Sequence, residues 1–409
     1  MLASRLCSNE KILNFFTTNA NRIFIRNKSL FHHLKFNNAV FQPNWSFIRS
    51  QVTVPIAKVA TQKPVGIWLT ICSGMVYLAV AIGGYTRLTE SGLSMVTWKF
   101  AYEKYPSSED EWENEFKKYQ EYPEYKQLKK DITLSEFKNI WLTEYFHRNW
   151  GRFLGLSFFI PAGLFWMKGY LSPFLKKRIS VFGLLIGAQG LMGWYMVKSG
   201  LEDRFHKDTE IPRVSQYRLA THLGLALTLY TGLLWTALEL LLPTQKIVSH
   251  SNIKTLKILS HTCKGMVFLT ALSGAFVAGL DAGLVYNSFP KMGDKWIPDD
   301  VLDLSPWYKN FTENPTAVQL DHRILGISTF SLIMITKLIS RKYHLPKTAK
   351  WAVNSLTLMA ILQVLMGIST LVHYVPTSQA VAHQSGSTTL LTTAIWFAHE
   401  MKKLKYVPK

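Results

Sequence analysis

Two motifs, Gln189-Gly-Leu-Met-Gly193 and Gln363-Val-Leu-Met-Gly367, are near copies of each other far apart in the chain. A second pair, His147-Arg148 and His322-Arg323, recurs at almost the same separation. Two unrelated motifs with nearly one spacing are typical of an internal duplication. The sequence therefore predicts two successive copies of one structural unit.

Each unit is predicted to be a membrane-embedded helical bundle. The chain has 409 residues, is 48% hydrophobic and contains too many long apolar runs for one soluble core. Eight of these runs are long enough to cross a bilayer: Val65–Tyr85, Tyr145–Met167, Ile179–Val197, Leu219–Leu242, Leu256–Leu280, Ala317–Ile339, Trp351–Val372 and Ala380–Ala398. The predicted fold is all-α: a polytopic membrane protein with two tandem four-helix bundles, residues 61–245 and 246–409.

The basic charge of the chain is explained by targeting and topology. The formal net charge is +20, but residues 1–60 hold many of the cations against a single acid, Glu10. Such an acid-poor basic leader is typical of a mitochondrial transit peptide. Much of the remaining excess lies beside the predicted spans, so a nucleic-acid partner is not indicated.

The remaining charges predict an orientation. Basic residues flank the second, fourth and sixth connections and the C-terminus, for example Lys177, Lys254, Lys342 and Lys403. Acidic residues fill the first and fifth connections. Because basic residues stay on the inner side, both termini are predicted to face the matrix. The long first loop, residues 87–143, then lies in the intermembrane space and carries aromatic residues at helical spacing, which predicts one or two amphipathic helices over the first bundle.

Four histidines occupy matched places near the start of the second, fourth, sixth and eighth spans. Each has a small residue four positions later, on the same helical face: His147 with Gly151, His222 with Ala226, His322 with Gly326 and His383 with Ser387. One intramembrane histidine is equally well explained by a hydrogen bond between helices, and a small residue by helix packing. Four in register, two per bundle, instead predict two bis-histidine haem sites.

Charged residues beside the histidines are candidates for contacts with the haem. Arg148, Arg323, Arg87 and Arg218 lie near the predicted outer surface and could bind haem propionates, although interfacial snorkelling explains each equally well. Glu144 precedes His147 by three residues, whereas Gln319 takes the matching place before His322. We therefore predict that the first site is reactive and the second is an electron relay; a helix-start acid is the alternative explanation for Glu144.

These motifs together resemble a known family. Gly83–Ser94 with Trp98, Glu144–Arg148, Gln319–Arg323 and His383-Gln-Ser are similar to the haem A synthases of the mitochondrial inner membrane. The resemblance covers nearly everything after the leader. Some bacterial members have two cysteines in the first loop. This chain has none between Arg87 and Thr143, so no disulfide can form within that loop.

The resemblance implies an activity and a set of site residues. Members oxidise the C8 methyl of haem O to a formyl group by successive hydroxylation, which supplies haem A to cytochrome c oxidase. By position, Glu144, His147 and His222 would line the substrate site, and His322 and His383 would hold a haem b. The family also implies a ferredoxin-like redox donor, with haem O synthase, oxidase assembly factors and a second copy of the chain as further partners. A b-type cytochrome and a haem carrier or chaperone remain alternatives.

Overall fold

The computed structural model describes residues 62–99, 102–201, 212–242, 247–249 and 253–406. The predicted leader, residues 1–60, lies outside them. The described helices are α1 (Lys63–Leu88), α2 (Glu109–Gln120), α3 (Pro123–Leu128), α4 (Leu134–Met167), α5 (Pro173–Gly200), α6 (Gln216–Leu241), α7 (Lys254–Gly279), α8 (Asn310–Glu313), α9 (Pro315–Ser340), α10 (Lys347–Val372) and α11 (Thr377–Lys403). Three 3₁₀ turns, Ala282–Leu284, Asp299–Leu302 and Trp307–Lys309, lie in the connection between α7 and α8.

Each of the eight predicted runs lies in a long helix. Among the described residues, six helices are long and apolar enough to cross a membrane: α1, α5, α6, α7, α9 and α10. The other two long helices, α4 and α11, carry two of the four histidines and more polar residues. The described part of the chain is thus predominantly helical, with six candidate spans.

Local sequence signals fix the helix ends. Thr133 caps α4 in a reciprocal capping box with Glu136, which satisfies two backbone N–H groups at the first turn. Proline begins α5 and α9, where its missing N–H costs nothing. Because of this capping box, α4 begins eleven residues before the predicted span at Tyr145. With 34 residues it is longer than the other described helices.

The four long helices of each half contact one another in a closed ring. The first ring runs α1, α4, α5, α6, and the second runs α7, α9, α10, α11, in the same order along the chain. The rings meet where α1 and α6 pack against α7 and α11. The Tyr77 hydroxyl bonds to Thr389, and the Tyr230 hydroxyl to Thr392, across this seam. Buried hydroxyl pairs of this kind hold membrane helices together.

A short parallel ladder joins the middle of the chain to its end. Strand β1 (Ile247–Ser249) follows α6, and strand β2 (Leu404–Tyr406) follows α11, with Ile247 opposite Leu404. The ladder therefore places the connection between the halves at the same end of the molecule as the C-terminus.

The long first loop folds as the sequence predicted. Helix α2 buries Trp112 and Tyr119 against Phe137 and Trp141 of α4, and Met95 completes this aromatic cluster. The protruding first turns of α4 thus carry a small helical cap with its own hydrophobic core.

Candidate functional site

The structure brings the four predicted histidines together in two pairs, one in each ring. The imidazoles of His147 in α4 and His222 in α6 are close enough for their charges to interact. The ring centroids of His322 and His383 are 6.4 Å apart, with their planes at 85°. Two metal–nitrogen bonds of about 2 Å, plus roughly 1 Å from each nitrogen to its ring centroid, add to about 6 Å. The second pair is therefore spaced to bind one iron from both sides.

Each histidine ring rests against a glycine of the preceding long helix. A Cβ added to these glycines would lie within 3.5 Å of the imidazole in every case: Gly83 against His147 (3.1 Å), Gly193 against His222 (3.4 Å), Gly274 against His322 (3.4 Å) and Gly367 against His383 (2.8 Å). The recurring Gln-x-x-Met-Gly motif thus ends on the glycine that touches the last histidine of its ring. The sequence prediction missed Gly83 and Gly274 as contacts, although both lie in matched places.

Two of the small residues four positions after the histidines, unlike the glycines that contact the imidazole rings, have no close neighbour from another helix. A Cβ added to Gly151 or Gly326 would meet no atom within 4 Å beyond its own helix. Next to His147 and His322 there is accordingly open space on the histidine's own helix face. No neighbouring side chain covers these two glycines, and a flat macrocycle beside them stays a prediction.

The two pairs differ at the Nδ1 atoms. Ser273 Oγ donates to the carbonyl of Thr270 at 2.8 Å, so its contact with His322 Nδ1 at 2.7 Å is one in which it accepts the ring N–H. This tautomer leaves the Nε2 lone pair of His322 free for a metal. The Gln363 side-chain NH₂ donates to the His383 carbonyl at 2.7 Å and faces His383 Nδ1 at 3.1 Å. A donor at Nδ1 fixes the ring but favours the tautomer with its proton on Nε2, the opposite of that at His322.

The first pair has fewer such partners. His222 Nδ1 is buried and has no hydrogen-bond partner in the described part of the chain. The Oε1 atoms of the matched residues Gln189 and Gln363 both lack a partner there, so they do not distinguish the pairs. The place of Ser273, directly before the glycine, is taken by Ile82. The second pair is thus held by side-chain hydrogen bonds that the first pair lacks at His222.

Glu144 is buried and surrounded by donors. Its Oε2 accepts from Ser94 Oγ and from Met95 N–H, both at 2.8 Å. Its Oε1 accepts from two nitrogens of Arg148, at 3.1 and 2.6 Å. In this conformation the carboxylate can accept a further proton only after one of these donors moves.

The two arginines that follow histidines bind backbone carbonyls. Arg148 donates to the carbonyls of Met95 and Thr97, each at 2.7 Å. Arg323 donates to those of Tyr286 and Ser288, at 3.1 and 2.9 Å. Each arginine therefore anchors the segment that follows the first long helix of its half. The buried Nε of Arg323 has no partner among the described residues, which leaves one N–H for an anion.

The other two candidate arginines also have protein partners. Arg87 pairs with Asp281 at 2.9 Å, across the two halves. Arg218 donates to the carbonyl of Tyr195 at 2.7 Å and stacks over its ring at 3.7 Å. In this conformation both side chains are therefore engaged by the protein.

One arginine of the first site was missed by the sequence prediction. Arg152 donates to the carbonyl of Lys99 at 2.7 Å and lies 3.9 Å from the buried carboxylate of Glu103. With Arg148 it holds alternate carbonyls of an extended segment along α4. The signal was present, since Glu144, Arg148 and Arg152 recur every four residues on one helix face.

The cap is mechanically linked to the first site. Met95 packs in the aromatic cluster with its side chain while its backbone binds Glu144 and Arg148. Within the cap, burial raises the pKa of Glu124 to about 7, although it accepts a hydrogen bond from the Tyr119 hydroxyl at 2.8 Å. A change in the cap can therefore reach Glu144 through one residue.

Comparison with known proteins identifies the family of the chain. The family model described as cytochrome oxidase assembly protein, COX15-CtaA, matches residues 66–395. The chain belongs to this family. It is 54% identical to a bovine protein named heme A synthase COX15, over 87% of the chain and 86% of that protein. It is 44% identical to a heme A synthase of the bacterium Nitrosospira multiformis, over 85% of the chain and 96% of that protein.

A third relative has a composite name. A protein of Schizosaccharomyces pombe named heme A synthase-mitochondrial ferredoxin fusion protein is 38% identical, over 92% of the chain and 67% of that protein. Residues 66–395, which the family model matches, include both histidine pairs and the segments that Arg148 and Arg323 anchor.

Proposed function

We propose that the chain is a haem A synthase, an oxidoreductase that converts the C8 methyl of haem O to a formyl group for cytochrome c oxidase. The observation that carries this proposal is the presence of two histidine pairs in matched rings, in a chain whose family relatives bear that name. Two successive hydroxylations, each of which removes two electrons from the carbon and adds one oxygen atom, would give a geminal diol, and loss of water would give the aldehyde. The four electrons pass to an external oxidant, because no side chain of the site can accept them.

The second pair, His322 and His383, would hold a resident haem b. When bound, this group supplies one-electron transfer. Ser273 fixes the His322 ring in the tautomer that a metal requires, and Gln363 fixes the orientation of the His383 ring. A metal on His383 Nε2 requires a proton on Nδ1, to which the Gln363 amide would turn its Oε1. Partners of this kind fix ligand orientation and raise metal affinity.

The first pair, His147 and His222, would hold the substrate. A substrate haem has to enter and leave, and weakly restrained imidazoles favour exchange. The missing partner of His222 Nδ1 and the presence of Ile82 in place of Ser273 support this division. Glu144 would accept a proton as the methyl is oxidised, with Arg148 and the Met95 segment moving to free an oxygen.

Propionates remain the proposed ligands of the arginines near these sites. Arg323 offers its unpartnered Nε, and the buried Nε of Arg87 also has no partner among the described residues. Arg148 and Arg218 would reach a propionate only by sharing nitrogens that now bind carbonyls.

We further propose eight membrane spans, formed by duplication of one four-helix ring, with α4 and α11 completing the six apolar helices. Equal helix order in the two rings and the matched histidine–glycine contacts support the duplication. The ladder between β1 and β2 agrees with placing the middle connection and the C-terminus on one face. By charge this is the matrix face of the inner membrane, the N-terminus included.

A ferredoxin-like protein is the proposed redox donor, because one relative is named as a fusion with a mitochondrial ferredoxin. Haem O synthase, oxidase assembly factors and a second copy of the chain remain predicted partners.

Pigment extraction from the purified protein tests the proposed function. A synthase should yield haem b together with haem O, haem A or a hydroxylated intermediate. A b-type electron carrier would yield two equivalents of haem b and no modified haem, which would contradict the proposal.

A further inference from the structure

A groove runs along one face of α6 beside α7, away from both histidine pairs. The residues of α6 that line the groove are spaced three or four positions apart, so they lie on one face of the helix. They are Tyr217, Thr221, Gly224, Thr228, Thr231 and Trp235. The part nearest Tyr217 has a volume of about 400 Å³, and the part nearest Trp235 about 330 Å³. Thr228 lines the first part and Thr231 the second, one turn apart, so the two parts follow each other along α6.

The part near Tyr217 is apolar. Thr221 and Thr228 donate their hydroxyls to the carbonyls of Tyr217 and Gly224, so these hydroxyls are already satisfied. Phe268 and Phe276 of α7 form the opposite wall, and Gly224 leaves the floor without a side chain. This surface suits a hydrocarbon chain.

The part near Trp235 is basic. Arg178 of α5 and Lys402 of α11 share one carboxylate, that of Glu239, which also accepts from the indole N–H of Trp235 at 2.8 Å. The ammonium of Lys264 lies 4.9 Å from the centre of the Trp235 ring. Three cations thus face a single acid.

Two groups in this part lack the partner that they need. Lys264 has no carboxylate within 4 Å among the described residues, so only an aromatic ring balances its charge. The hydroxyl of Thr231 is buried and has no hydrogen-bond partner within the same ranges. Both line one cavity, where an anion with several acceptor oxygens would satisfy them together.

We propose that this groove binds an anionic phospholipid. The phosphate lies at the level of Trp235, between Lys264 and Arg178, and an ester oxygen of the glycerol accepts from Thr231 one turn deeper. One acyl chain then follows α6 toward Gly224. Basic pockets between membrane helices are known to bind acidic headgroups, and tryptophan favours the headgroup level. Trp235 and Gly224 are separated by about 16 Å of helix, which matches the roughly 15 Å of one leaflet.

Native mass spectrometry of the delipidated full-length protein tests this site. We would titrate it with phosphatidylglycerol and with phosphatidylcholine of equal chain length. One phosphatidylglycerol should bind in preference to phosphatidylcholine. Lys264→Gln should lower its affinity about fivefold, as expected for one cation near the membrane surface. The matched control is Lys350→Gln, an exposed lysine of α10, which should change nothing.

A second variant tests the acyl part of the groove. Gly224→Leu places a side chain against Leu272, whose Cδ1 lies 3.3 Å from an added Cβ, and so fills the floor. It should weaken the binding of long-chain phosphatidylglycerol and leave the binding of dihexanoyl phosphatidylglycerol unchanged. Equal binding of both lipids, or equal effects of Lys264→Gln and Lys350→Gln, would overturn the proposal. The proposal would also be overturned if inorganic phosphate displaced the lipid completely and Gly224→Leu had no effect. That result would show a site for a free anion, not for a lipid.

Discussion

Ser273→Ala should loosen the resident haem b without disturbing the helix bundle. The variant removes the acceptor that lies 2.7 Å from His322 Nδ1 and leaves that N–H buried without a partner. A buried polar group left unpaired costs about 1–3 kcal/mol, and each 1.4 kcal/mol is about tenfold. Loss of such a partner typically lowers metal affinity about 10- to 100-fold. Haem b should therefore dissociate about 10 to 100 times faster.

Transfer of haem b from the purified protein to excess apomyoglobin measures this rate by absorbance. Ser260→Ala is the matched control, because Ser260 is a buried serine of the same helix that bonds only to the Lys257 carbonyl. The reverse change, Ile82→Ser, should give His147 an equivalent acceptor and slow haem exchange at the first pair. If Ser273→Ala released haem b no faster than Ser260→Ala, the proposed role of Nδ1 bonding would be refuted.

Three further outcomes are expected. Glu144→Gln should abolish haem A formation while haem b stays bound. In the wild type, donors occupy both carboxylate oxygens, whereas glutamine offers only one acceptor oxygen. Normal turnover would exclude the role of Glu144. Gly367→Ala, whose methyl would lie 2.8 Å from His383, should lower haem b content, whereas Gly265→Ala, with nothing within 4 Å, should not; equal content would show that this contact is unimportant. The pKa of Glu124 is raised by burial from 4.5 to about 7, so the folded cap binds this proton more tightly and loses stability as pH rises from about 4.5 to about 7. Hydrogen exchange of residues 109–128, corrected for intrinsic rates, should show this loss in the wild type and not in Glu124→Gln, and a flat profile in the wild type would contradict it.

Long-range pattern made the helices and the histidine pairs predictable. The lengths of the hydrophobic runs located the eight long helices. The repeated motifs identified His147 and His322 as equivalent positions in the two halves. The small residues after His147 and His322 face open space as predicted. Helical spacing of Trp112, Phe116 and Tyr119 likewise predicted the cap.

Contacts between distant segments were not predictable in the same way. A serine at position 273 has many uses in a membrane helix, and only the packing of α7 on α9 brings its oxygen to His322. Arg148 was expected at a propionate because its charge and depth were visible, while the carbonyls of Met95 and Thr97 that it binds were not. The early start of α4 is a different case, because its Thr133–Glu136 capping box can be recognised in the sequence.

Haem content of two single variants tests the central claim most directly. Acid–acetone extracts of purified His322→Ala and His147→Ala would be separated by chromatography beside the wild type. His322→Ala should lose haem b, and His147→Ala should keep haem b while it makes no haem A. Loss of haem b from His147→Ala together with its retention in His322→Ala would contradict the assignment of the resident haem to the second pair.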